Sequence, residues 1–162
     1  MKKIIKKATQ PTVLSDWKRD NPRKKYEHFQ RTQEKKILHR ELLSEQFFLC
    51  CYCGTSIETS NSHIEHIEPQ NKDIKTLDYN NLLVSCNGDN IIESGEDELK
   101  YCGHRKSGNF DPEMLTPLAD DCEERMALLA NGHVKRVDID DRGAKSAIEI
   151  LGLNSYVLSQ AR

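Results

Sequence analysis

The clearest pattern along the chain begins at Tyr26. From there to Phe47, apolar residues Phe29, Ile37, Leu38, Leu42 and Phe47 recur at roughly helical intervals with charges between them, which predicts a long helix. Before it, residues 1–25 show little hydrophobic order. Pro11 and Pro22 break any long helix there, and Val13, Leu14 and Trp17 form a short apolar cluster suited to docking. After the helix the period changes. His63–Ile67 alternates as a strand does, ended by Pro69, and Asn81–Ser85 is a second short apolar strand. A Ser/Thr/Asn-rich loop, 55–61, precedes the first strand, and a polar loop, 70–79, joins the two. Residues 87–100 form an acidic insertion with the character of a mobile loop, and Cys102–Gly108 opens a short helix carrying His104 and Lys106.

Beyond Asp111-Pro112 the pattern changes again. Asn131-Gly132 lies between two apolar runs within 125–137, the strongest short hairpin signal. Asp141–Leu151 reads as a helix stopped at Gly152, with Asn154 placed to cap another. That last helical pattern is still running at Arg162, as in a chain cut short. The organisation expected is a basic N-terminal docking segment (1–25), a core (26–110) and a C-terminal accessory hairpin with helices (111–162), in the α+β class.

Composition sharpens this picture. Hydrophobic residues make up 36% of the 162 and charged residues 31%, a lean core that a structural metal would help to fold. No apolar run reaches the length of a membrane span, and no apolar stretch follows the basic start as in a signal peptide, so a cytoplasmic protein is expected. Six cysteines in such a chain argue for metal binding or reactivity rather than disulfides. The net charge of −2 hides an asymmetry. Residues 1–40 hold 13 Lys and Arg against 4 Asp and Glu, while the remainder holds 11 against 22. The basic quarter can face phosphates or be a solvated surface; the acidic remainder suggests that a partner supplies part of any grip on nucleic acid.

The candidate chemistry lies between the two strands and their flanks. Cys50-x-x-Cys53-Gly54 reads as a metal knuckle, and Cys86 and Cys102 supply two further thiolates for a tetrahedral four-cysteine zinc site. Cys51 competes with Cys50, and Cys122 is a spare core thiol. A redox Cys-x-x-Cys is the rival, but it expects a βαβ context that this pattern lacks. Cleaving a phosphodiester requires a base for the attacking water and a cation for charge on the leaving oxygen. His66 suits the base. Glu65 suits a hard cation such as Mg²⁺ or Mn²⁺. Asn81 can brace the intervening loop or orient the imidazole, and His104 can complete the metal site. Singly, each is an ordinary surface or turn residue. The order Cys pair, acid-His, Asn, Cys, Cys-x-His is what makes them a constellation.

That order resembles the HNH endonucleases, also called His-Me-finger or ββα-metal nucleases. Within them the chain looks like the HNH proteins of anti-phage systems, the PtuB-type nuclease of Septu and of some retrons. The residues carrying the resemblance are Glu45-Gln46 leading to Cys50-Cys51-Tyr52-Cys53-Gly54, His63 to Pro69, Tyr79-Asn80-Asn81-Leu82 with Ser85-Cys86, and Cys102-Gly103-His104-Arg105-Lys106. The resemblance implies a zinc-stapled ββα-metal core. It implies that His66 is the general base, that Glu65 is the metal-binding acid (usually Asp), that Asn81 is the central Asn, and that His104 is the last His or Asn. His104 stands two positions after Cys102, where many members place this residue directly after the Cys, and Asn109 is the alternative. His63 shares a strand face with Glu65 and can approach the metal or phosphate. A PtuA-like ATPase partner, and so a hetero-oligomer, is implied as well. DNA is the favoured substrate, with RNA, including tRNA, open because attack by water has no use for a 2′-hydroxyl. From another class, a zinc-stapled binding module without catalysis is the competing expectation, though it has no need of Glu65-His66.

Overall fold

The computed structural model describes residues 1–70, 76–88 and 100–162. The expected insertion 87–100 therefore falls largely, and the polar loop 70–79 in part, outside the described residues. The order is α1 (Thr12–Asp20), α2 (Tyr26–Phe29), α3 (Gln33–Glu45), β1 (Ser62–His66), a 3-10 turn (Tyr79–Asn81), β2 (Leu82–Cys86), α4 (Cys102–Lys106), β3 (Met126–Leu128), β4 (Val134–Arg136), α5 (Arg142–Ile150) and α6 (Tyr156–Ala161).

Among the described residues two antiparallel pairs form the sheets. β1 and β2 run from Ser62 opposite Cys86 to His66 opposite Leu82, and β3 pairs with β4 from Met126 opposite Arg136 to Leu128 opposite Val134. All five β2 residues are buried, because α3 packs on this strand and α4 follows it. Gln46, just past α3, closes β2's outer edge. Its amide donates to the Val84 carbonyl at 2.9 Å and its oxygen accepts the Val84 N–H at 2.7 Å. The same carbonyl accepts the Cys51 N–H at 3.0 Å, so the knuckle is stitched to the strand.

The expected single helix over 26–47 is two. Thr32 caps α3, its hydroxyl accepting the Lys35 N–H at 3.2 Å, and that cap ends continuity with α2. The break turns Phe29 inward, where Trp17 meets it edge to face at 5.1 Å. Leu38 and Leu42 are core residues as the pattern requires. Ile37, however, is exposed, and Phe47 is 83% exposed because the chain leaves the helix at Phe47 and Phe48 through left-handed conformations (φ 54° and 58°).

The N-terminal segment also departs from expectation. Between the two prolines it makes α1, and Leu14 and Trp17 are buried in this chain's own core, so their side chains are not an exposed docking face. Residues 2–7 are anchored too. Lys6 forms a buried pair with Glu45 at 2.7 Å and lies 3.8 Å over the Tyr79 ring, while the Ile4 N–H donates to Pro117.

At the C-terminal end the Asn131-Gly132 turn forms the expected hairpin, with Gly132 at φ 78°. Asp141 caps α5 and is gripped by Arg125 through two bonds of 2.7 Å, holding its carboxyl down at about 2. Asn154 does not cap α6; Ser155 does. The Asn154 amide is used in a two-point clamp on Val134, accepting its N–H at 2.7 Å and donating to its carbonyl at 2.9 Å, which ties hairpin to helix. Among the described residues no helix is long and apolar enough to cross a membrane.

His39, on the buried face of α3, gives a pH signature. Its Nε2 is 3.0 Å from the Ser62 hydroxyl, and burial pushes its pKa from 6.5 down to about 4. The unfolded chain therefore binds this proton more readily than the folded one between those values, so stability should be lost as pH falls from 6.5 toward 4. Thermal unfolding should show a midpoint that falls across this window, with a shallower slope in His39→Gln. An unchanged slope in that variant would show that His39 is not the group responsible.

Candidate active site and metal centre

Three segments deliver the four cysteines to one point. Cys50 and Cys53 come from the turn after α3, Cys86 ends β2, and Cys102 starts α4. The positive φ of Gly54 (76°) lets the chain double back, so that its N–H reaches the Cys50 carbonyl at 3.0 Å. The four Sγ atoms lie within 4.8 Å of one another, and among the described residues they are the one group of three or more His, Cys, Asp or Glu placed to share an ion. A tetrahedron with metal–sulfur bonds of about 2.3 Å has edges of about 3.8 Å. Cys53 and Cys86 Sγ stand 3.8 Å apart, so the donors fit a metal such as zinc. The Cys86 N–H donates to Cys50 Sγ at 3.3 Å, the kind of contact that steadies a thiolate. Without a cation the set cannot ionise together: burial pushes the Cys102 thiol well up, while for Cys50 burial is outweighed by its neighbouring thiols and the pKa falls. Cys51 is buried outside the cluster, and Cys122 is a buried core thiol, as expected.

Beside this cluster a cleft of about 360 Å³ is lined by His63, Glu65, His66, Gln70, Gly103 and Lys106, among others. Glu65 lies on the β1 face turned toward α4. Its Oε1 accepts from Lys106 Nζ at 2.8 Å and from the Tyr52 hydroxyl at 3.1 Å, and its Oε2 lies 3.5 Å from His63 Nε2. Burial opposes ionisation of Glu65, but His63 and the Lys106 ammonium outweigh it and hold the pKa below the ordinary value. Lys106 is 1% exposed, and its ammonium also donates to the His66 carbonyl at 2.7 Å.

His66, the last residue of β1, turns the other way, as neighbours on a strand do. Its ring meets Tyr26 edge-on at 4.5 Å. Nε2 lies 2.9 Å from the Thr76 carbonyl oxygen, which can only accept, so Nε2 carries the proton. Nδ1 is then the basic nitrogen, and the Gln70 amide approaches it at 3.3 Å. Burial lowers the pKa of His66, favouring the neutral form that a base requires.

Asn81 braces the chain after His66, one of the two roles expected of it. Its Oδ1 accepts the Glu68 N–H at 2.7 Å and its Nδ2 donates to the Glu68 carbonyl at 3.0 Å, bracing the turn that follows His66. His104 is exposed on α4 and stacks on His63, ring centres 4.8 Å apart and 22° from parallel. Asn109 is exposed beyond α4, its N–H donating to the Lys106 carbonyl at 2.8 Å. Lys106, Tyr52, Gln70 and Gly103 are the participants whose places the sequence pattern did not announce. The one hint was the Cys-Gly-x-x-Lys spacing, which puts Gly103 and Lys106 on one helical face.

No family model matches the chain. Two curated proteins are similar to it. One, from Vibrio cholerae serotype O1 biovar El Tor and named "Retron Vc95 putative HNH endonuclease", is 27% identical over 136 residues, covering 79% of this chain and 62% of that protein. Another, from Escherichia coli and named "Retron Ec83 putative HNH endonuclease", is 29% identical over 98 residues, covering 53% of this chain and 38% of that protein. The chain thus spans less than two thirds of the length of either relative. Across most of its own length, it is similar to retron-associated proteins that carry the name of HNH endonucleases.

Proposed function

We propose that this chain is a metal-dependent HNH endonuclease that hydrolyses phosphodiester bonds, with DNA the favoured substrate. The observation that carries the proposal is the pairing in one cleft of a neutral imidazole, Nδ1 unprotonated, with a buried, ionised carboxylate on the preceding residue. His66 Nδ1 takes the proton of the attacking water, and the Thr76 carbonyl keeps the ring in the tautomer that can do so. Glu65 presents a fixed negative charge to a divalent cation, Mg²⁺ or Mn²⁺, which when bound stabilises charge on the leaving oxygen. Lys106 and Tyr52 hold the carboxylate in place. Asn81 holds the turn that carries the chain away from His66. The four cysteines hold structural zinc, with β1, β2 and α4 as the strand–strand–helix core within residues 26–110, and residues 1–25 and 111–162 as its accessories.

The relatives' names place them in retrons, which supports an effector role in anti-phage defence. The acidic balance of residues 41–162, together with the family resemblance, supports a PtuA-like ATPase partner that provides part of the grip on nucleic acid. The test is cleavage of DNA and RNA side by side by the full chain, alone and with the ATPase, in Mg²⁺, in Mn²⁺ and in EDTA. DNA should be cut in the presence of the cations and spared in EDTA. Cleavage of RNA alone would move the substrate class. No cleavage under any of these conditions would leave a zinc-stapled binding module as the better description.

A further inference from the structure

We propose that His63, not His104, is the side chain that joins Glu65 in holding the divalent cation of the cleft, in a cradle beneath Gly103. The inference rests on the cleft being a metal-dependent site and names its ligands and its metal preference.

Three observations converge. The first is a division of labour on the carboxylate. Tyr52 and Lys106 both bond Oε1, whereas Oε2 is directed at His63 Nε2, 3.5 Å away. The second concerns the imidazole. His63 Nδ1 lies 3.1 Å from Asn87 Oδ1, an amide oxygen that can only accept. Nδ1 therefore carries a proton, which leaves Nε2 facing Oε2 across a gap that a positive centre, a proton or a metal ion, can bridge. A histidine that donates its far N–H to an oxygen is how ligating imidazoles are usually oriented. The third is space. A Cβ at position 103 would lie 2.7 Å from both Glu65 Oε2 and His63 Nε2, so only glycine leaves that point open. The two donors are 3.5 Å apart, a span that a cation with bonds of about 2.1 Å to each can bridge.

His104 stands differently. It is exposed, and its ring lies flat on that of His63. The stack sets the His104 ring against the face of His63. A mixed imidazole–carboxylate pair suits a first-row transition ion better than Mg²⁺, which prefers all-oxygen sites. The site should accordingly prefer Mn²⁺.

The experiment is Mn²⁺ binding by the zinc-loaded full chain, followed by the electron paramagnetic resonance signal of free Mn²⁺, with no nucleic acid present. Zinc content and circular dichroism report folding of each variant. His63→Ala should weaken Mn²⁺ binding by about tenfold or more, the scale on which even outer-shell losses act. It should also narrow the preference for Mn²⁺ over Mg²⁺. Gly103→Ala should weaken binding by filling the cradle, and His104→Ala should stay close to the native affinity. The proposal is overturned if His63→Ala binds Mn²⁺ as the native chain does, if His104→Ala loses binding that His63→Ala retains, or if the native chain takes up no Mn²⁺ at millimolar concentration. A chain that binds Mn²⁺ through His63 but cuts nothing would overturn the nuclease function and leave this site standing. One that cuts nucleic acid while His63→Ala binds normally would do the reverse.

Discussion

A Cys53→Ser chain is expected to purify without zinc and without a cooperative thermal transition. The four thiols tie together the end of α3, the end of β2 and the start of α4, and these are the elements that place Glu65 and Lys106 against one another. Binding to a structural zinc site contributes on the order of 10 to 16 kcal/mol, and because the unfolded chain has no such site, that energy is folding energy. Whole domains are stable by only about 5 to 15 kcal/mol. With hydrophobic residues at 36% of the sequence, this core has little reserve to cover the loss. Serine at position 53 would also leave three buried thiols crowded together with no cation to let them ionise. Cys122→Ser is the control. It removes a core thiol outside the cluster, so it should keep zinc and a cooperative transition at a lowered midpoint. A Cys53→Ser protein that is metal-free yet melts cooperatively near the native temperature would sink the four-cysteine site.

The parts of this molecule that were legible in the sequence are those in which the local pattern decides the outcome. Alternation and apolar character predict strands at His63–Ile67 and Asn81–Ser85, and the structure pairs 62–66 with 82–86. The Asn-Gly turn and the helix expected from Asp141 are set within a few residues, and both appear where expected. The cysteines were legible because zinc chemistry fixes their number and local spacing, even though Cys86 and Cys102 are far apart in sequence.

What was not legible depends on partners distant along the chain. Thr32 is a local signal for the helix break, but the inward turn of Phe29 depends on Trp17, twelve positions earlier, whose ring it meets edge to face. Leu14 and Trp17 looked like a docking segment because burial inside the same chain leaves no local mark. Asn154 has the composition of a cap but is taken by Val134. Lys106 is the sharpest case. A lysine on a short helix is ordinarily solvated, and its burial here exists only because a carboxylate and a carbonyl from β1 both lie within 2.8 Å of its ammonium.

His66→Ala should lower cleavage by about 10² to 10⁴-fold, the contribution of a positioned general base, while leaving the zinc content and the unfolding transition near native. The basis is that His66 contributes little else that the fold depends on. Its Nε2–H bonds one loop carbonyl, at Thr76, and its ring rests edge-on against Tyr26, whereas the carbonyl that anchors Lys106 belongs to the backbone and survives the substitution. Gln70→Ala provides a graded comparison. The Gln70 amide approaches the same Nδ1 that must receive the proton, so removing it frees the lone pair and should change the rate far less than removing the ring. His66→Gln restores hydrogen-bonding capacity without a titrating nitrogen, and should be as slow as alanine if proton transfer is the role. If His66→Ala cleaved at the native rate in the same cation, the base would have to be sought elsewhere in the cleft. His63 is the other lining imidazole, and it would then have to be tested as a base and not as a ligand.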